Sequence, residues 1–132
     1  MKGFHTDIEK DTLDNNAFRK VLYTAKQLQL VLMTLQPGEE IGAEVHTEND
    51  QFFRFEGGTG KCVIDDHEYT VRDGSAIIVP LGARHNVINT GNEPLKMYTL
   101  YAPPHHKDGI VRDTKKEAED NEEEFDGVTS EG

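Results

Sequence analysis

The chain has 132 residues, 35% of them hydrophobic, with 14 basic and 25 acidic side chains, a net charge of −11. That length fits one domain with a buried core, and the charge argues against nucleic acid and anionic membranes as partners, since both require a basic footprint. The single cysteine, Cys62, excludes an internal disulfide and fits a reducing compartment.

The first ten residues are polar and lack the apolar run of a signal peptide, and no stretch is long and apolar enough to span a bilayer. A cytoplasmic, soluble protein is the expectation. Phe18 to Tyr23 and Gln27 to Leu35 read as strands. The second begins alternating and becomes continuously apolar, the pattern of a strand buried on both faces. Its outer face calls for cover, either from a second copy of the chain or from the N-terminal segment.

Pro37-Gly38 opens the next stretch. Glu44 and His46 stand two apart, so on a strand they leave the same face. Asn49-Asp50 is a turn signal, and Gln51-Phe52-Phe53-Arg54-Phe55 returns as a strand. By parity, Gln51, Phe53 and Phe55 share one face, and Phe52, Arg54 and Glu56 the other. Lys61 to Ile64 and Glu68 to Arg72 read as a hairpin about Asp65-Asp66-His67, with Cys62 an inert buried thiol.

Gly74 to Asn89 carries a short buried strand, Ala76 to Val79, then a turn set by Pro80 and Gly82, then a strand starting at His85. With Gln51 facing Glu44 and His46, these three donors gather beside His85. Two imidazoles and two oxygens suit a divalent metal. Leu95 to Ala102 reads as a last long strand, ended by Pro103-Pro104, with His105-His106 in a loop. Residues 115–132 hold eight Asp/Glu and two Lys, a net of −6, and offer no apolar face until Phe125. The expectation is a domain over residues 1–114 and a flexible, solvated acidic tail over 115–132. Many short strands punctuated by Gly and Pro mean an all-β fold.

The two central stretches resemble the paired motifs of the cupin superfamily. The second motif is matched in full by Gly74, Pro80, Gly82, His85 and Asn89. In the first, Gly38, His46 and Gly58 are in register, while Glu44 replaces the usual first His and Gln51 the usual Glu. The resemblance implies a cupin-type jelly-roll β-barrel, commonly dimeric, holding one metal ion through Glu44, His46, Gln51 and His85. Against the usual three His and one Glu, this set is harder and favours Fe(II), Mn(II), Co(II) or Zn(II) over Cu(I). In ligand type it is similar to the zinc set of cupin-type phosphomannose isomerases, with Glu and Gln interchanged.

Three functions follow from the resemblance. One is a metal-dependent isomerase acting on a sugar or sugar phosphate, in the manner described as mannose-6-phosphate-isomerase-like. Another is an Fe(II) dioxygenase built on His46, His85 and Glu44. The third is a non-catalytic metal-containing binding module. For the isomerase, no general base is located. Lys61, Arg72 and Arg84 are candidate phosphate contacts, and Phe53, beside Gln51, is a candidate substrate contact.

Overall fold

The computed structural model describes residues 1–132. Ten strands and two short helices follow in order: α1 (Ile8–Asp14), β1 (Arg19–Thr24), β2 (Gln29–Leu35), β3 (Glu44–Val45), β4 (Asp50–Gly57), β5 (Thr59–Ile64), β6 (His67–Arg72), β7 (Ala76–Val79), β8 (Arg84–Asn89), β9 (Leu95–Ala102), β10 (Val111–Arg112) and α2 (Lys115–Asp120). The strands form a six-stranded sheet in the order β10-β1-β2-β9-β4-β7 and a four-stranded sheet in the order β3-β8-β5-β6, with every pairing antiparallel. The expected barrel is thus a jelly-roll sandwich of two sheets that do not close on each other.

Alternation puts one face of each strand into the space between the sheets. Val31, Met33 and Leu35 of β2, Phe53 and Phe55 of β4, Leu95 and Met97 of β9, and Cys62 and Val87 of the smaller sheet meet there. Cys62 is fully buried, and burial pushes its thiol up to about 11, so it is the inert core residue expected. Gly58 is required where the chain passes from β4 to β5. Its φ is +85°, and a Cβ there would lie 2.5 Å from the Pro94 carbonyl oxygen.

β2 is buried on both faces over most of its length, as its composition predicts. Part of the cover is α1, which packs outside β2, β4 and β9 and which the sequence reading lacks. Asp7 caps it by accepting from the Lys10 amide. Asn15, just past its end, is tied to β2: its Nδ2 donates to Thr34 Oγ1 at 3.2 Å, and Thr34 Oγ1 donates to the Asn15 carbonyl at 2.8 Å. The N-terminal segment therefore covers one end of the outer face.

The solvated tail expected over 115–132 is not what the structure shows. Thr114 caps α2 by accepting from the Glu117 amide, and Ala118 is buried in the core cluster. Beyond α2, the Phe125 amide donates to the His105 carbonyl at 3.0 Å, and the Ser130 amide to the Thr24 carbonyl at 2.8 Å. Glu131 accepts from Tyr23 Oη and from the Lys2 and Gly3 amides. A small apolar contact, two backbone hydrogen bonds and the side chains of Glu123, Ser130 and Glu131 dock this segment, and hydrophobic patterning cannot register that kind of contact.

Candidate metal centre

Two loops are brought together at one end of the sandwich. β3 pairs with β8, so Glu44 lies opposite His85. His46 follows directly after β3. The Gly82 amide, in the turn before β8 at φ +90°, donates to the His46 carbonyl at 2.9 Å. Leu81 in the same turn donates its amide to Asp50 Oδ1 at 2.8 Å. The Pro80–Gly82 turn thus aims His85 and also holds the backbone of His46.

One ligand atom from each of Glu44, His46 and His85 lies within 4.8 Å of the others. His46 and His85 are buried, at 7% and 4% exposure, and Glu44 is half-buried. His46 Nε2 is 3.1 Å from Glu44 Oε2 but lacks hydrogen-bond alignment, leaving that buried nitrogen without a partner. Burial by itself would raise Glu44, but the close contact with His46, then the charges of Arg19 and His85, hold its carboxyl below the usual range. Burial lowers His85, against the opposing effect of its Nδ1 contact with the Ala83 carbonyl at 3.3 Å. Glu44 is thus held as carboxylate and His85 as neutral imidazole, the states that coordinate a metal.

Gln51, on β4, is 3% exposed. Its Nε2 donates to Thr99 Oγ1 at 3.0 Å, which fixes the amide, while its buried Oε1 has no partner. Unpaired buried acceptors are uncommon and costly. Gln51 Oε1, left without a partner, and His46 Nε2, whose one polar neighbour is the imperfectly aligned Glu44 carboxylate, are both metal-ligating types. The residues present therefore fit a divalent ion: Glu44, His46 and His85 converge, and Gln51 offers an uncommitted oxygen.

Phe53 lies deeper than the donor side chains. It is fully buried between the sheets, its ring 6.2 Å from Phe55 and 6.4 Å from His85, so it backs the site from the core side. Phe55, on the same face, is also core, while Gln51 at the start of that face reaches the site, since inward alternation leads to both. Arg84 and Arg72 are exposed, and Lys61 sits beside Glu68. None of these three cations lines the cavity at this end of the sandwich; the cations on its wall are Arg19 and Lys115.

The loop after β9 is the part of the site that sequence reasoning missed. The His105 ring lies 4.5 Å from that of His46 and stacks on Tyr101 at 5.2 Å. The His106 ring is edge-on to Tyr101, with Nε2 at 3.3 Å from Tyr101 Oη. Gln29 Oε1 accepts from both the His105 and His106 amides, at 3.1 and 2.9 Å, and its Nε2 donates to the His106 carbonyl at 2.7 Å. Asn49 Nδ2 donates to the carbonyls of Pro103 and Pro104. Burial, with the nearby charge of His46, pushes His105 down to about 4. Burial, with Arg19, pushes His106 down to about 2. Both rings are neutral at pH 7. Two adjacent His after a long strand were the available signal, and the buried Gln29 and Asn49 that place them carry none.

Two facing antiparallel sheets with a His- and Glu-lined end, built on a Gly-Pro-Gly-His turn, define a jelly-roll protein with a metal-type site. The cupin domain model matches residues 31–101. The chain belongs to the cupin family. It is 49% identical over 123 residues to YrkC of Bacillus subtilis, covering 89% of this chain and 66% of that protein. The crystal structure of BH2720 from Bacillus halodurans superposes with a TM-score of 0.89 at 44% identity, covering 91% of this chain and 96% of that one. A more distant similarity, 28% over 85 residues, links 64% of this chain to 18% of the mannose-1-phosphate guanylyltransferase of Escherichia coli.

Proposed function

We propose that this chain is a divalent-metal enzyme that isomerises a small polyhydroxy carbonyl compound, with Glu44, His46, His85 and Gln51 as ligands to one Zn, Mn, Fe or Co ion. The observation that carries the reading is the convergence of three ligand atoms within 4.8 Å, together with the unpartnered buried oxygen of Gln51. An ion held there supplies Lewis acidity to a bound carbonyl or hydroxyl oxygen. Phe53 and Phe55 close the inner side of the site against water. Thr99 holds the Gln51 amide in one orientation. His105, outside the proposed ligand set and next to His46, supplies the base that sequence reasoning could not locate: its ring nitrogen takes the proton from the hydroxyl-bearing carbon beside the carbonyl and returns it to the former carbonyl carbon, while the hydroxyl proton passes between the two adjacent substrate oxygens. The distant similarity to a sugar-nucleotide enzyme supports a sugar-type substrate.

A second reading, an Fe(II) dioxygenase, is favoured by one observation. The convergent trio is itself a two-His-one-carboxylate set, while Gln51 is already engaged with Thr99. The test has two arms. Elemental analysis of the protein purified without chelator should find about one ion per chain, lost in His46→Ala combined with His85→Ala. Equal metal in both proteins refutes the site. Loaded protein should then interconvert aldoses and ketoses under nitrogen, with His105→Ala abolishing turnover and retaining the ion. Oxygen uptake confined to the Fe(II) form would favour the second reading, and inactivity in both arms would favour a binding module.

A further inference from the structure

Glu44, one of the proposed metal donors, lines a cavity of about 660 Å³ whose wall comes from distant parts of the chain, with His105, the neighbour of His46, beside it. Arg19, Glu44 and His106 line it from the sandwich, and Lys115, Glu122 and Glu124 from the C-terminal segment. That segment is held in place, because Arg112 Nη2 meets Glu123 Oε2 at 2.5 Å behind the wall and the Phe125 amide bonds to His105.

Two buried polar atoms of the lining residues have no partner: Nδ1 of His106, a residue only 5% exposed, and Nε of Arg19. Arg19 Nε can only donate. The His106 nitrogen donates or accepts according to tautomer. A ligand hydroxyl satisfies either role and also accepts from Arg19.

Charge decides which oxygens can enter. Five carboxylates line the cavity, those of Glu44, Glu119, Glu122, Glu123 and Glu124, against the two cations Arg19 and Lys115, a net of −3. Lys115 is 3.8 Å from Glu119 and Arg112 neutralises Glu123, but Glu122 and Glu124 have no cationic partner. With Arg112 set against Glu123, a divalent ion at the site would bring the lining to about neutral overall, with Glu122 and Glu124 the carboxylates left without a cation beside them. An anionic group would have to approach these carboxylates, whereas hydroxyl groups can donate to them.

We propose that this cavity binds a neutral polyhydroxy compound, an unphosphorylated sugar or sugar-like polyol, and discriminates against its phosphate esters. The inference rests on the reading of this end of the sandwich as the substrate site and names the class of compound that enters it. It also runs against the phosphorylated substrate that the family resemblance suggested.

The test is equilibrium binding to the metal-loaded full chain at low salt, by calorimetry and by NMR of the histidine rings. The probes are mannose, fructose and myo-inositol, with mannose 6-phosphate and fructose 6-phosphate. At least one neutral probe should saturate and shift the His106 ring resonances, with its phosphate ester at least about tenfold weaker. Glu122→Lys combined with Glu124→Lys, both exposed positions, should narrow that ratio by about tenfold, and high salt should narrow it too. Phosphate esters that bind as tightly as the neutral sugars would overturn the proposal. So would a ratio unmoved by charge reversal, or no saturation by any neutral probe. Elemental analysis of the same samples separates these outcomes from failure of the metal site, which would show as protein without the ion.

Discussion

His106 is a neutral imidazole locked under the C-terminal segment, and replacing it with glutamine should change how stability responds to acid. The folded protein holds this ring at about 2, against 6.5 for an unburied histidine, mainly because burial penalises the cation. As pH falls below about 6.5 the unfolded chain takes up a proton there and the folded chain does not. This contribution to stability is therefore full above that pH and is progressively lost as pH falls toward the folded value. Integrated from about pH 7.5 to about 5.5, one such group removes about 1.4 kcal/mol. The assay is urea unfolding of wild type and His106→Gln across that range with chelator present, and the measure is the difference between their slopes, since glutamine alters absolute stability as well. All other ionisable groups are common to the two proteins and cancel to first order. Parallel pH profiles would refute the reasoning and mean that the ring reaches water or accepts a proton in the folded state.

Removing residues 115–132 should lower stability by more than about 1 kcal/mol, measured by the same unfolding, because Ala118 and the backbone bonds of Phe125 and Ser130 are lost; an unchanged midpoint would show the segment does not dock. Asn49→Ala should cost about 1–3 kcal/mol by leaving the Pro103 and Pro104 carbonyls without their donor, read as a lower denaturant midpoint at unchanged m-value. Light scattering should find a dimer. On the outer face of the larger sheet, Ile78, Phe52, Leu100 and Leu30 fall in one row across four strands, and Ile78 is 68% exposed. Phe52→Lys should give monomers at micromolar concentration, and a wild-type monomer would refute the pairing.

The fold was legible because its cues are local. Pro80 and Gly82 dictate a reversal wherever they occur in this spacing, and the apolar run from Leu30 to Leu35 demands a strand covered on both sides. β7 and β9 have the bounds expected from sequence, and β8 starts one residue before His85. Glu44, His46 and His85 were legible for the same reason, each tied to a turn. What escaped depends on contacts between residues far apart. Gln29 orders a loop 76 and 77 residues away, and no pattern within β2 announces that role. The C-terminal segment is too acidic and too poor in apolar residues to suggest packing, yet one buried alanine, two backbone hydrogen bonds and the side chains of Glu123, Ser130 and Glu131 hold it. For Phe53, parity gives the face, and its full burial beside Phe55 comes from the packing of the two sheets.

The bond from the Gly82 amide to the His46 carbonyl joins the two halves of the donor set through main chain alone. The gap between the histidines is thereby fixed by the fold whether or not an ion is present, and side-chain replacement in either loop leaves the bond intact. Loading should then proceed without a coupled ordering transition. Circular dichroism of apo and loaded protein should superimpose, and the calorimetric heat-capacity change on loading should be near that of rigid coordination. The family's Pro-x-Gly turn therefore acts in this chain as a ruler between the two histidine-bearing loops as well as a reversal of the backbone.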